Sequence, residues 1–299
     1  MPSVSSLEEA SAALAAAHAE GRRLRIGDDL TADGLDRILE HDPGDLTCTV
    51  EAGVRLSELR ATLAAAGQRL SLDPPGDPTI GALLARNVSG PLRHRFGAPR
   101  DLVLGATLVL ADGTIASAGG KVVKNVAGYD LARLVCGSEG RLAFIARASF
   151  RLHPLPKASQ TVVVETEDAA VVVRALLLSQ LQPSALEVLH PGRVAMLFEG
   201  SERAVAAQVA TTLALVGGAE TDTAVWDESR SRQGAARGRV RFAPGDLPGA
   251  LSELPEAVIR PASGVAYTAS DTVSQGDPST ERLVKAVLAQ LDPRGVLAA

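Results

Sequence analysis

Aromatic side chains make up only 3% of this 299-residue sequence, as one Trp, two Tyr and five Phe. A core must therefore be built from Ala, Leu and Val, and at 46% hydrophobic residues there are enough of them for a sizeable one. So few aromatics also argue against recognition of nucleic acid by base stacking. No long basic run occurs and the formal charge is −5, so a phosphate-backbone footprint is not expected either. Only two cysteines are present, Cys48 and Cys136, far apart in sequence. They cannot by themselves make an iron–sulfur cluster or a zinc site. They fit a reducing compartment, where a buried cysteine behaves as a small apolar residue. No run of about eighteen apolar residues is found, so no membrane-spanning helix is expected. The opening stretch to Gly21 lacks the basic start and unbroken apolar run of a signal peptide. The expectation is a cytoplasmic protein that reaches a membrane only through partner subunits.

What is abundant is glycine beside polar and basic residues, concentrated between Gly119 and Ile145 (GGKVVKNVAGYDLARLVCGSEGRLAFI). Gly119, Gly120, Gly128, Gly137 and Gly140 alternate there with Lys121, Lys124, Asn125, Tyr129, Asp130 and Arg133. Glycine serves where backbone takes a positive φ or approaches something closely. The pattern suits N–H groups wrapped around an extended polar ligand, and equally a tight turn followed by a core helix. A second such segment is TIGALLARNVSGP, Thr79 to Pro91.

These two segments resemble the FAD-binding domain of the vanillyl-alcohol oxidase superfamily, also called PCMH-type. Within it they are most similar to the glycolate oxidase FAD-binding subunits, a resemblance carried above all by KNVAGYDLARL at Lys124 to Leu134 and HPLP at His153 to Pro156. It covers about residues 20 to 156 well and the remainder loosely. The fold it implies is α+β. A PCMH-type domain of two α+β subdomains occupies 1–156, a ferredoxin-like cap or substrate domain 157–275, and a C-terminal helix and tail 276–299. The tail DPRGVL, Asp292 to Leu297, resembles a superfamily ending that packs back on the FAD domain.

The resemblance also implies a non-covalent FAD site. Thr79, Ile80 and Gly81 would bring N–H groups to the pyrophosphate at a helix start. Asn87, Ser89 and Gly90 would line the isoalloxazine or ribityl region, and Asn125 would run extended along the ligand. Gly137, Ser138 and Gly140 would approach the FAD, Arg141 would add a cation for the pyrophosphate, and Ile145 would close the segment. The chain departs from the family at Gly27-Asp28-Asp29-Leu30, where a G-G-G-T loop is usual, and at Ala82 and Ala143, where glycines are usual. Two carboxylates near a pyrophosphate repel it unless they turn away.

In chain order, Ser6-x-x-Glu9 reads as a capping box for a helix that Gly21 ends. Arg22 to Ile26 and Leu46 to Glu51 read as strands, Ser57 as a helix cap, and Asp101 to Ile115 as a hairpin turning at Asp112-Gly113. Arg93, His94 and Arg95 form a small basic loop, open to a phosphate, an anionic substrate, a partner's acidic edge or solvent. Beyond His153, strands are expected at Thr161 to Thr166, Ala185 to Leu189, Val194 to Gly200, Val240 to Phe242 and Ala257 to Ala269. Helices are expected at Asp168 to Leu181, Ser201 to Val216 and Asp246 to Leu254, with a loop at Gln233 to Gly238. Strand, helix, strand, strand, helix is the ferredoxin-like order. Glu281 to Leu291 reads as a last amphipathic helix.

Oxidation of a 2-hydroxy acid needs a base and a carboxylate clamp beside the flavin. None of the five histidines is paired at ligand spacing, each reads as structural, and Cys136 is the one candidate for covalent attachment near the flavin segments. No catalytic residue is assigned and no metal is expected. Three readings stay open: an FAD-binding subunit of a multi-subunit 2-hydroxy-acid (glycolate-type) oxidoreductase, with a larger flavoprotein subunit and an iron–sulfur subunit as partners; an assembly subunit of the same complex that has lost FAD; and a stand-alone FAD oxidase.

Overall fold

A computed structural model of the chain describes residues 3–120, 130–272 and 278–297. Asn125, together with Lys121, Lys124 and Tyr129, lies outside them. Helix α1 (Leu7–Glu20) begins at Ser6, whose side chain accepts from the Glu9 N–H, and ends on Gly21 at φ 65. The Glu9 carboxylate bonds the Ser5 N–H at 2.8 Å rather than that of Ser6, so the expected box is shifted by one residue. Arg22 to Ile26 forms two isolated bridges instead of a strand, one of them Leu24 to Leu297 in the C-terminal tail.

Five antiparallel strands make the first sheet: β1 (Ile38–Asp42), β2 (Thr47–Glu51), β4 (Val103–Val109), β5 (Ile115–Gly119) and β6 (Phe144–Arg151), in the order β1-β2-β6-β4-β5. A two-residue pair, β3 (Gln68–Arg69) with β7 (His153–Pro154), stands beside it. Helices α2 (Leu56–Ala65) and α3 (Ile80–Arg86) pack Leu56, Leu59, Leu63, Ile80, Leu83 and Leu84 against Cys48, Val50 and Phe150 of the sheet, all at most 1% exposed. Short helical turns α4 (Arg93–Phe96), α5 (Pro99–Leu102) and α6 (Leu131–Leu134) follow, the last capped by Asp130. Ser57 is not the cap of α2, because the helix starts at Leu56. The Asp77 carboxylate takes the Ser57 N–H at 2.8 Å and hydroxyl at 2.7 Å, tying the loop after Leu72 to the helix start.

The second sheet has seven antiparallel strands: β8 (Ala158–Glu165), β9 (Ala185–His190), β10 (Arg193–Gly200), β11 (Ala219–Thr221), β12 (Gly238–Arg241), β13 (Ala257–Arg260) and β14 (Val265–Thr268). Their order is β11-β8-β10-β9-β13-β14-β12. The first four give the ferredoxin-like 4-1-3-2 arrangement, with α7 (Ala169–Leu178) and α8 (Glu202–Val216) as its two helices. The other three strands extend that sheet. The run expected as one strand from Ala257 to Ala269 is two, because Pro261 to Gly264 turns the chain with Gly264 at φ 59. Helix α9 (Ala224–Gly234) was not expected from sequence, and α10 (Leu247–Glu253) and α11 (Pro278–Leu291) complete the set. Val287, Leu288 and Leu291 of α11 pack against the core of the first sheet, and Val296 and Leu297 join the cluster built on α1.

Candidate functional site

The two segments singled out by their glycines come together. Helix α3 starts at Thr79, whose hydroxyl accepts from the Ala82 N–H at 3.3 Å, and ends at Asn87 in the left-handed region, φ 48. Gly137 donates to the Leu84 carbonyl at 3.0 Å and Glu139 to that of Ala85 at 2.8 Å, so the loop from Gly137 to Arg141 docks on the last turn of α3. Gly137, Glu139 and Gly140 all take positive φ there. Inside this junction the Ser138 hydroxyl is buried and has no hydrogen-bond partner among the described residues. A buried hydroxyl without a partner costs about 1–3 kcal/mol, and a ligand group reaching it removes that cost. Gly137 has only the Asn87 Cβ near it, at 3.5 Å from where its own Cβ would stand, which leaves room for such a group.

Other expected contacts are placed differently. The Ile80 and Gly81 N–H groups donate to the Val54 and Ala52 carbonyls at 2.9 and 2.7 Å, so they do not face a pyrophosphate. Ala82 sits inside α3 and takes no positive φ, so it carries no penalty for replacing a glycine. Ile145 lies in β6 at 5% exposure and is core. The Arg141 side chain folds back, its Nε donating to the Ser138 carbonyl at 3.1 Å. In the acidic first loop, Asp28 and Asp29 are exposed, and the Asp29 carboxylate takes the Arg25 N–H at 2.9 Å. The N–H groups of Gly27, Asp28, Asp29 and Leu30 all bond carbonyls of Arg25 or Leu30. This loop is closed on itself.

Ser89 is 1% exposed and every polar atom of it that can accept is used. Its hydroxyl accepts from Arg93 at 3.2 Å. Its carbonyl accepts from two residues of the second sheet region, Arg260 at 2.8 Å and Gln233 at 3.0 Å. Ser89 therefore anchors an inter-sheet network and does not line an open surface. Gly90 follows it because a Cβ there would overlap the Asp73 carbonyl. Arg260, 3% exposed, pairs with Glu187, 0% exposed, at 2.6 Å, and also reaches the Gln233 amide oxygen at 2.6 Å and the Tyr267 hydroxyl at 3.2 Å. Ser229 donates to the other Glu187 oxygen. Burial alone would lower the Arg260 pKa; Glu187 raises it above the ordinary arginine value.

Asp73, at the start of the loop tied to α2, accepts from the Leu92 N–H at 3.0 Å and faces Arg230 of α9 at 3.7 Å. Burial pushes its carboxyl up to about 7, against the pull of Arg260. The basic turn is also partly absorbed: Arg93 holds Ser89, and burial lowers the His94 pKa. At the junction of the sheets, His153 packs against Phe96 with the ring centroids 4.7 Å apart and the planes tilted by 59°, and burial, aided by Arg151, Arg69 and Arg95, pushes its pKa down to about 4. Burial pushes the Cys136 thiol up to about 12, which makes it a poor nucleophile. No His, Cys, Asp and Glu cluster among the described residues could hold a metal ion, and no helix among them is long and apolar enough to cross a membrane.

The sequence reading missed Arg260, Glu187, Gln233 and Asp73. A signal did exist for the first two. Each is a lone charge in an otherwise apolar strand, AVIR and ALEVLH, and a charge in a fully buried strand has a partner.

The architecture is that of an α+β protein with a PCMH-type FAD-binding fold, and comparison with known proteins agrees. The alkyldihydroxyacetonephosphate synthase structure superposes over 99% of this chain and 74% of its own at TM-score 0.72 with 16% identity. The Bermuda grass isoallergen BG60 superposes over 73% of this chain and 51% of its own at TM-score 0.58 with 17% identity. Residues 29–119 match the FAD binding domain family. Over those residues the chain is similar to that family. Among curated proteins, the glycolate oxidase subunit GlcE of Escherichia coli is 33% identical over 70% of this chain and 61% of its own length. The glycolate oxidase subunit GlcD of Bacillus subtilis is 36% identical over 52% of this chain and 34% of its own. The mitochondrial D-lactate dehydrogenase (cytochrome) 1 of Saccharomyces cerevisiae is 32% identical over 58% and 30%. The chain thus spans less than two thirds of the length of each of these relatives.

Proposed function

We propose that this chain is the FAD-binding subunit of a multi-subunit 2-hydroxy-acid oxidoreductase of the glycolate type, holding FAD non-covalently between the α3 segment and the Gly137–Arg141 loop. The observation that carries the site is the Ser138 hydroxyl, buried without a partner where those two segments meet. A ribityl or ribose hydroxyl is the kind of group that would satisfy it. The chemistry the flavin supplies when bound is two-electron oxidation; the protein's part is to hold and orient it. Thr79, Asn87, Gly137 and Gly140 shape the cradle. Cys136, with its thiol pushed up to about 12, speaks for non-covalent attachment. In this reading residues 1–156 are the flavin domain, 157–275 the cap, and the C-terminal helix and tail brace the first domain. A larger flavoprotein subunit and an iron–sulfur subunit complete the enzyme in the cytoplasm, with any membrane contact made through them. The names of the relatives in Escherichia coli and Bacillus subtilis support the assembly.

A second reading is favoured by one observation, the first loop closed on its own carbonyls with two exposed aspartates. It is an assembly subunit of the same complex that no longer takes up FAD. The absorbance spectrum of purified protein separates the two. Yellow protein that releases its flavin on acid precipitation supports the first reading. Protein that stays colourless after incubation with FAD removes it and leaves the second.

A further inference from the structure

Three guanidinium groups meet where the second sheet approaches α4. Arg260 and Arg93 both end on Ser89, the first on its carbonyl at 2.8 Å and the second on its hydroxyl at 3.2 Å. Arg260 and Arg239 both lie over the ring of Tyr267, with their guanidinium carbons 4.9 and 5.9 Å from its centroid. The register of the sheet builds this cluster. Arg239 of β12 stands directly opposite Tyr267 of β14, and Tyr267 stands opposite Val258 of β13, two residues before Arg260. Side chains two apart on a strand share a face, so Arg239, Tyr267 and Arg260 form one row. The turn α4 brings Arg93 to that row through Ser89.

The charges of the cluster do not balance. Glu187 is already committed, one oxygen to Arg260 at 2.6 Å and the other to Ser229. Arg239 makes no ion pair among the described residues, and its Nε is buried without a hydrogen-bond partner. Arg93 is half-buried, bonds Ser89 and makes no ion pair among the described residues either. Burial lowers the Arg93 pKa, and repulsion by Arg239 and Arg260 lowers it further, against the pull of Tyr267 and, weakest of all, of Asp101. The Asp101 carboxylate is itself held by the Ala98 N–H at 2.8 Å. With Glu187 and Asp101 both counted in full, three cations still face two anions. Partly desolvated like charges are costly unless an anion completes them. The free donors also come from more than one side: Arg93, the Arg239 Nε, and the Tyr267 hydroxyl, whose oxygen accepts from Arg260 at 3.2 Å while its hydrogen is left to donate. A carboxylate has two coplanar oxygens, which a single guanidinium fork saturates. A phosphoryl group has three acceptor oxygens around a tetrahedral centre and a charge of about −1.5 to −2 at pH 7.

We propose that Arg93, Arg239 and Tyr267 form a phosphoryl-binding site, in which a phosphate group separate from any flavin bridges α4 and β12. The inference rests on this cluster and not on the flavin reading above.

The test is calorimetric titration of the full chain with inorganic phosphate and with acetate, at an ionic strength held constant with chloride so that screening does not change. Phosphate should bind saturably at one site, and acetate at least ~10-fold more weakly. Arg239 is half-buried in the strand at the end of the sheet, so Arg239→Gln should fold as the wild type does. It should bind phosphate at least ~10-fold more weakly, as should Arg93→Gln. Phosphate should raise the melting temperature of the wild type saturably and leave that of Arg239→Gln where it was, which keeps the result readable if Arg93→Gln folds poorly. A saturating excess of FAD should leave the phosphate affinity unchanged. The proposal is overturned by any of these results: the wild type shows no saturable heat with phosphate, acetate binds as tightly as phosphate, Arg239→Gln binds phosphate as the wild type does, or FAD displaces the phosphate, which would make the anion the cofactor's own pyrophosphate.

Discussion

Replacing Arg260 by Met removes the centre of the inter-sheet network while keeping much of the side chain's volume. The guanidinium makes four contacts: Glu187 at 2.6 Å, the Ser89 carbonyl at 2.8 Å, the Gln233 amide oxygen at 2.6 Å and the Tyr267 hydroxyl at 3.2 Å. Tyr267 also stacks under it, with the guanidinium carbon 4.9 Å from the ring centroid. The largest consequence of the loss is not the missing bonds. It is Glu187, 0% exposed, left as a buried carboxylate with only Ser229 among the described residues to bond it. Breaking a buried ion pair on one side costs roughly 3–5 kcal/mol. At roughly 2–4 °C per kcal/mol for a unit of this size, the melting temperature should fall by roughly 6–20 °C. The double variant Arg260→Met/Glu187→Gln removes the stranded charge and should recover about half of that loss, because a neutral amide still bonds Ser229. Differential scanning fluorimetry on the wild type, the single and the double variants reads all of this. A melting temperature within 2 °C of wild type for Arg260→Met, or a double variant at the sum of the two single losses, would refute the claim that the pair acts as one buried unit.

Ser138→Ala should change FAD affinity by about 0.5–1.5 kcal/mol, roughly 2- to 13-fold weaker, with the fold unchanged, measured by fluorescence titration of released flavin. Gly140→Val is a poorer probe of the same site, because a Cβ there would stand 2.8 Å from that of Ile26 at φ 80, and soluble yield should fall with occupancy. Asp73 has a folded pKa raised to about 7 over an ordinary 3.8, so the native state holds the extra proton between those values and stability declines as pH rises through that window. Asp73→Asn should remove that decline, a difference of a few kcal/mol at most across denaturation curves from pH 4 to pH 7. His153 works in the opposite sense: its folded pKa of about 4 lies below the ordinary 6.5, so stability declines as pH falls through that window, and His153→Phe should flatten this acid limb.

Most of the scaffold was legible because its buried stripes are apolar. The hairpin turning at Asp112-Gly113, the helix ending on Gly21 and the strand, helix, strand, strand, helix order from β8 to α8 all follow from hydrophobic period and turn residues, whereas the exposed β11 carries no such period. Helix α9 was not legible, and the reason is physical. Two of its four buried residues are Ser229 and Gln233, which face Glu187 and Arg260 instead of a hydrophobic core. A helix whose inner face is polar shows no hydrophobic period. The site was half legible for a related reason. Glycines mark where backbone comes close, and α3 does meet the Gly137 loop. They do not say what approaches: at Gly90 it is the Asp73 carbonyl, and at Gly81 it is Ala52.

The two sheets are joined in a way that explains why the charged residues of the second one matter to the first. Among the described residues, no cluster of buried apolar side chains includes residues of both. What crosses between them is polar: Arg69 with Glu199 at 2.6 Å, Asp73 with Arg230 at 3.7 Å, and Arg260 and Gln233 on the Ser89 carbonyl. Apolar contact is tolerant of angle and register, whereas bidentate and buried hydrogen bonds are not. The orientation of the second sheet is therefore fixed by a few directional contacts, and two of the three end on Asp73 or Ser89. Ser89 precedes Gly90 and the Asp73 carbonyl packs against it, and the two residues bracket α3 in the chain, Asp73 before it and Ser89 after it. Whatever occupies the junction of α3 with the Gly137 loop shares one short stretch of backbone with the groups that hold the second sheet in place. Loss of the Arg260 contact should accordingly lower flavin occupancy as well as stability, although Arg260 lies in a different sheet.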